Sequence, residues 1–321
     1  ERSGTIPTMP PRLTPEIAAQ RGLLALCLAL SAALLLRFLG GSDVASLVTS
    51  HVPDDSFYVL LPAWNASHGA GFTFDGQNTT YGVQPLWALI ATLLGGVAST
   101  RAAHLQLVLG CGAILHLAAG VGVWVWLRRA VNARAALIAA ALLLLGPDAI
   151  HLSTNGLESG LHLAALVLVL NLVPSVGVAP SSRRLLWLGV ACALLGLARV
   201  SSLVAAGLLV LALARRPRSL APFLLGFGLL LVPALLWAQH LFGQPLPSSM
   251  DRKLIGAFAA LVTVAPSWLG SVLEPLLPAS EQALVGASGL ALPSWQGLFR
   301  LGLQAPVGWA LGAFLPRLPW A

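Results

Sequence analysis

Apolar residues run along this chain in blocks, and the polar stretches that part the blocks collect nearly every charge. A run of about 18 or more apolar residues with almost no charge is the mark of a helix that crosses a bilayer. Successive blocks at 22–40, 102–127, 135–147, 159–175, 185–198, 200–214 and 219–239 predict an all-α polytopic membrane protein. Beyond 253 the pattern loosens, because Pro266, Pro275, Pro278, Pro293, Pro306, Pro316 and Pro319 interrupt it. Further spans or surface helices are expected over 254–321. The whole chain reads as a single transmembrane domain: a first span, an extracytoplasmic loop over 41–101, a helical core over 102–253 and this last part. It begins at Glu1 and stops just after an apolar segment, as one portion of a longer protein would, truncated at its C-terminus. The first apolar block is long enough to stay in the membrane, so it is not read as a cleavable signal peptide.

Composition agrees with the pattern. The chain is 57% hydrophobic and 9% charged, with a mean hydropathy of +0.84, whereas a soluble domain carries about 25% charged residues. That excludes an ordinary aqueous globular enzyme. The net charge of +7 comes from seventeen arginines and the single Lys253, and at the ends of apolar blocks such charge reports topology. No nucleic-acid partner is expected. Cys27, Cys111 and Cys192 fall inside predicted spans without metal-ligand spacing and read as small apolar fillers. The ten tryptophans lie mostly at span ends, as an interfacial belt does.

The arginines orient the chain. Arg2, Arg12 and Arg21 precede the first span and place the N-terminus in the cytoplasm, so the stretch after residue 40, with Asp43, Asp54, Asp55 and Asp75 and neither lysine nor arginine before Arg101, lies outside. A parity problem follows. Two apolar stretches, 85–99 and 102–127, would together return the chain to the outside, yet Arg128, Arg129 and Arg134 mark that end as cytoplasmic. The first is shorter, opens with Pro85 and ends in Gly95-Gly96, so it is expected to lie along or dip into the outer leaflet. The loop 147–158, Arg199 and the stretch 240–253 then also face outward.

One stretch does not fit a lipid-facing pattern: His51 to Trp87, HVPDDSFYVLLPAWNASHGAGFTFDGQNTTYGVQPLW. Asp54 and Asp55 follow the helix-breaking Pro53 just outside the first span, where a carboxylate keeps its water and its charge. Phe57, Tyr58 and Trp64 follow on an amphipathic run, then a glycine-rich turn, then Gln84-Pro85-Leu86-Trp87. Aromatic faces, turn glycines and ionised carboxylates in one outward loop make it the candidate site.

The ordered set DDSFY, HGAGFTFDGQNTTYGVQPLW, Asn155-Gly156-Leu157-Glu158-Ser159, Leu197-Ala198-Arg199 and Phe242-Gly243-Gln244-Pro245-Leu246-Pro247-Ser248-Ser249, with Lys253 behind it, resembles the GT-C superfamily of membrane glycosyltransferases. The resemblance covers roughly residues 20 to 255 and is similar to protein O-mannosyltransferases, aminoarabinose transferases and arabinofuranosyltransferase-like proteins. It implies a GT-C-like transmembrane helical core whose large first extracytoplasmic loop carries juxtamembrane helices. The implied reaction moves a sugar from a polyprenyl-phosphate donor to a glycan, lipid or protein acceptor, on the outer side of a bacterial inner membrane. It implies catalytic roles for Asp54 and Asp55, donor-phosphate binding by Arg101, Arg199 and Lys253, and substrate contacts from Tyr58, Gln84, Trp87, Asn155, Glu158 and Ser248. In one place the chain departs from the family: Ser201 stands where an acidic residue often follows the arginine by two.

Such a transfer needs a base at the acceptor hydroxyl and positive charge at the departing phosphate. Phosphate leaves readily, so no strong general acid is required, unlike glycoside hydrolysis by two carboxylates. Asp54 is the expected base. Simpler uses exist for each residue: Asp54 and Asp55 as caps of the helix starting near Ser56, Arg101 and Arg199 as snorkelling anchors, Glu158 as a structural ion-pair partner, and Lys253 in a solvated loop. His51, His68, His151 and His240 are too dispersed for a zinc motif, so no metal site is assigned, although Asp54 and Asp55 can offer oxygens to a divalent cation. Two other functional classes compete with the transferase: a non-catalytic membrane scaffold, as a subunit of a larger complex, and a secondary transporter. A transporter would concentrate broken helices and polar groups at the bilayer midplane, and here the carboxylates cluster in loops.

Overall fold

The computed structural model describes residues 15–173, 181–214 and 217–247. Within them the chain is built from helices, the one element of pairing being an isolated bridge between Thr73 and Thr79. Helix α1 (Pro15–Gly41) starts on a proline and runs out in two glycines. Next come α2 (Val44–Ser50), a single 3-10 turn over Asp54–Ser56, α3 (Phe57–Ser67) and α4 (Pro85–Val97). Helix α5 (Arg101–Ala130) is capped at its start by Thr100, whose hydroxyl accepts from the Ala103 N–H at 3.1 Å, and ends on Arg128 and Arg129, where cations suit the helix dipole. Asn132 caps α6 (Ala133–Leu145) in the same way.

Pro147 cannot continue α6, because it has no N–H to give and its ring crowds the preceding turn. The chain therefore bends by 59° into α7 (Pro147–Thr154), so the segment 147–158 carries a helix of its own. Then follow α8 (Ser159–Leu172), α9 (Ser182–Ala198), a 3-10 turn at Val200–Ser202, α10 (Leu203–Ala214) and α11 (Pro217–Phe242).

Among the described residues three helices are long and apolar enough to cross a membrane: α1 from Ala18, α5, and α11 from Arg218; the bent pair α6–α7 makes up to four. This is a helical membrane protein. The sequence pattern gives seven crossings by residue 239, but α6, α8, α9 and α10 hold 13, 14, 17 and 12 residues. At 1.5 Å per residue they reach only about 18–26 Å, short of a hydrocarbon core of about 30 Å. Each is cut by a local breaker: Gly146-Pro147, Asn155-Gly156 or Arg199. Helix α4, at 13 residues, is about 20 Å long and likewise too short to cross by itself.

Three clusters of buried side chains hold the helices. One joins α1, α5 and α6 around Leu24, Ala140 and Leu144. A second joins α8 to α11 around Val169, Leu188, Leu195 and Phe223. There α9 packs most extensively on α11, through close approaches at which a side chain on Gly189 would collide with the Phe223 carbonyl and one on Gly226 with the Leu186 carbonyl. Small residues of this kind let helix backbones approach where lipid provides no hydrophobic drive. The third cluster seats the loop between α2 and α4: Val52, Val59, Leu60, Val83, Trp87 and Ala91 pack with Leu105, Val108 and Leu109 of α5 and with Leu161 and Ala198.

Candidate functional site

The loop over 51–87 is fastened to the breaks in the helical core by a series of hydrogen bonds. Ser56, fully buried, donates its hydroxyl to the Asn155 carbonyl at 2.8 Å. Trp87, also buried, donates its indole N–H to the next carbonyl, that of Gly156, at 2.8 Å. Gln84 accepts the Val200 N–H at 3.0 Å. At the far end, Tyr81 stacks on Phe242 with ring centroids 4.2 Å apart and donates to the Pro245 carbonyl at 3.4 Å. Four segments far apart in sequence, 51–87, 154–158, 199–202 and 242–245, are thereby drawn together.

The reason is physical. A helix that stops inside the protein leaves carbonyls without partners, and a buried carbonyl without a donor is costly. Asn155 and Gly156 are such carbonyls, exposed by the break between α7 and α8. Gly156 takes a positive φ of +89°, and a Cβ there would sit 3.2 Å from Cβ of Ser56. The Asn155 side chain closes the turn by accepting the Leu157 N–H at 3.0 Å.

Histidines also bond backbone carbonyls and hydroxyls, both within a helix and at the breaks. His104 of α5 bonds the Ala91 carbonyl of α4 at 2.9 Å. His116 bonds the Leu144 carbonyl at 3.4 Å, just before the Gly146-Pro147 break, and takes the Ser153 hydroxyl at 3.1 Å. His162 meets the Ser202 hydroxyl at 2.8 Å across the break at Arg199. His51 bonds the Thr154 carbonyl at 3.1 Å. Three of these four histidines sit on helices, and each serves a backbone or hydroxyl group. Among the described residues no group of three or more His, Cys, Asp or Glu side chains is placed to hold a metal ion.

The carboxylates stand on this platform. Asp54 and Asp55 form the exposed 3-10 turn immediately before Ser56. Asp54 accepts the neighbouring Asp55 N–H at 2.9 Å, and neither carboxylate caps α3. One turn further, Tyr58 is 60% exposed and its ring lies 5.8 Å from that of Phe74, itself exposed. Phe74 is held by the loop around it. Asn65 donates to the Thr73 carbonyl at 2.9 Å, and Asp75, held down to about 2 by the backbone N–H groups of Asn78 and Gln77 and by the Asn78 side-chain amide, fixes the turn that follows. Burial pushes the Tyr81 hydroxyl up to about 12, so it remains a donor at any ordinary pH.

The other expected residues divide. Arg199 is half-buried at the end of α9, adjacent to the Val200 N–H that Gln84 binds. Glu158 is half-buried at the start of α8, where its carbonyl accepts the His162 N–H at 2.8 Å. Arg101 is not brought to this cluster. It is exposed at the head of α5, about 12 Å along the helix from Leu109, and Leu109 is the level at which α5 touches Gly156. Ser248 and Lys253 lie outside the described residues. The contributions of Ser56, His51, Gly156 and Val200 go unnoticed in the sequence, where the asparagine-glycine turn signal at 155–156 is the one local hint.

Depth follows from the same contacts. A side chain on Gly112 would collide with the Ser153 carbonyl, and Gly112 lies about 16 Å along α5 from Arg101. The breaks therefore meet α5 well along the helix from its Arg101 end. Helix α5, 30 residues long, spans about 45 Å and outreaches the hydrocarbon core. The class this architecture defines is a helical membrane protein whose short helices end together beneath a folded loop. Compared with models of known families, with curated proteins and with solved structures, the chain matches none.

Proposed function

We propose that the protein is an integral membrane glycosyltransferase that moves a sugar from a polyprenyl-phosphate donor to an acceptor hydroxyl on the extracytoplasmic side of a bacterial cytoplasmic membrane. The observation that carries this reading is the pair of bonds from Ser56 and Trp87 to the consecutive carbonyls of Asn155 and Gly156, together with the Gln84 bond to Val200. They set two exposed carboxylates and a half-buried arginine around one junction of helix ends and outer loop, as a substrate half lipid and half sugar requires.

The chemistry then distributes as follows. The carboxylate of Asp54 takes the proton of the acceptor hydroxyl as its oxygen attacks the anomeric carbon. The bond from that carbon to the phosphate oxygen breaks, and the phosphate leaves with the electron pair. Its growing charge is met by the Arg199 guanidinium, whose planar donors suit phosphate. Asp55 orients the turn, and Tyr58 with Phe74 offers an apolar face to a sugar ring. Purified protein in detergent, given a radiolabelled polyprenyl-phosphate sugar and a membrane extract as acceptor, should release free polyprenyl phosphate. Arg199→Ala should weaken use of the donor without unfolding the protein. Wild-type protein that binds polyprenyl phosphate and never transfers sugar would replace this reading with the scaffold.

A further inference from the structure

His51 and His151 meet across the junction of the outer loop and α7 with Nδ1 facing Nδ1 at 3.1 Å and ring centroids 4.6 Å apart, edge to face. The hydrogens can be placed by elimination. Thr154 uses its hydroxyl hydrogen on the Ile150 carbonyl at 2.7 Å, so both its carbonyl and its hydroxyl oxygen, each 3.1 Å from His51 Nε2, are acceptors. His51 must therefore carry its hydrogen on Nε2. In the neutral ring Nδ1 is then a bare acceptor, and the Nδ1–H of His151 donates to it.

A first added proton goes to the exposed Nε2 of His151 and makes the bond charge-assisted. A second must sit on His51 Nδ1, where two N–H groups would oppose each other. We infer that His51 and His151 form a proton-sharing latch that holds the Asp54–Asp55 turn against α7 while the pair carries one extra proton or none, and releases it when both rings are charged. The latch does not depend on glycosyl transfer, only on the contact between these two segments.

The surroundings agree. Phe38 of α1 covers His51 with ring centroids 4.4 Å apart, and Thr154 and Ile150 of α7 bring no charge. Arg37 of α1, Asp43 and Asp54 on the same outer stretch, and Asp148 of α7 are solvent-exposed. Burial, and then the charge of His151, lowers the His51 value below the ordinary 6.5, against a smaller opposing effect of the Thr154 carbonyl. The latch is therefore closed above that ordinary value and opens as pH falls through the lowered one.

The test is ¹⁵N NMR of histidine-labelled protein in micelles, with a nitroxide at Ser50→Cys reporting loop mobility after replacement of the native cysteines. His51 should appear as the Nε2–H tautomer and titrate below its ordinary 6.5, and His151→Gln should move its titration back toward 6.5. The nitroxide should gain mobility in acid in the wild type. In His51→Gln, which keeps a donor for Thr154 and cannot titrate, it should not. An Nδ1–H tautomer for His51, independent titration of the two rings, or equal acid mobility in His51→Gln would overturn the latch. Because none of these readouts uses sugar transfer, their failure leaves the glycosyltransferase proposal where it stands.

Discussion

The junction beneath the loop over 51–87 and the bundle of α8 to α11 are held together by different forces. In the bundle, side chains interlock and backbones touch at Gly189 and Gly226, with a polar bond from His162 to Ser202 at one edge. At the junction, side chains from the loop donate to carbonyls that broken helices leave open, at Thr154, Asn155 and Gly156. Packing in lipid needs only small residues and shape, whereas ending a helix at membrane depth needs a donor for every exposed carbonyl. The junction is therefore where backbone and polar groups are gathered, and it is there, rather than in the bundle, that the proposed chemistry is set.

The contrast can be broken from either side, and the expected losses of stability rank as follows. Trp87→Ala removes a fully buried ring together with its bond to Gly156, and should cost about 3–5 kcal/mol, read as a lowered melting temperature in detergent. Trp87→Phe, which keeps most of the ring and strands the carbonyl, should cost about 1–3 kcal/mol. In the bundle, Gly226→Ala drives a methyl into the Leu186 carbonyl and should cost roughly 1–3 kcal/mol by overpacking, yet leave transfer per folded molecule unchanged. Gly156→Ala must hold a left-handed backbone at about 1–2 kcal/mol. It also presses on Ser56, so transfer should fall with stability there. The smallest effect is that of pH. His51 has a folded value below its unfolded 6.5, so the unfolded chain binds the extra proton more readily. Stability is thus full above about 6.5 and declines as pH falls through the lowered value. His51→Gln should flatten that slope in thermal melts.

The long spans were legible because length and apolarity are written residue by residue: α1, α5 and α11 fall where the apolar blocks at 22–40, 102–127 and 219–239 place them. Proline at 85 and 147 and glycine at 146 and 156 announced the interruptions as well. The bonds that gather the site were not legible, because their acceptors are backbone carbonyls, which carry no residue identity. Asn155 and Gly156 matter for their C=O groups, and Ser56 looked like an ordinary helix start. The bonds of His51, His104, His116 and His162 were not legible for a like reason, since nothing in their spacing tells which carbonyl or hydroxyl each meets. Depth was hidden too: Arg101 heads its span in sequence, but only the contact of Gly112 with Ser153 places the junction far below it.

The proposed chemistry rests most heavily on Asp54. Sugar transfer from a polyprenyl-phosphate donor, measured alongside melting temperature for wild type and Asp54→Asn, separates a base from a structural carboxylate. The side chain is exposed and, among the described residues, bonds only the adjacent Asp55 N–H, which asparagine can also satisfy. Transfer should therefore fall by about two to four orders of magnitude with the melting temperature unchanged. Full transfer by Asp54→Asn, and by the double variant with Asp55→Asn, would contradict the catalytic role assigned to this turn.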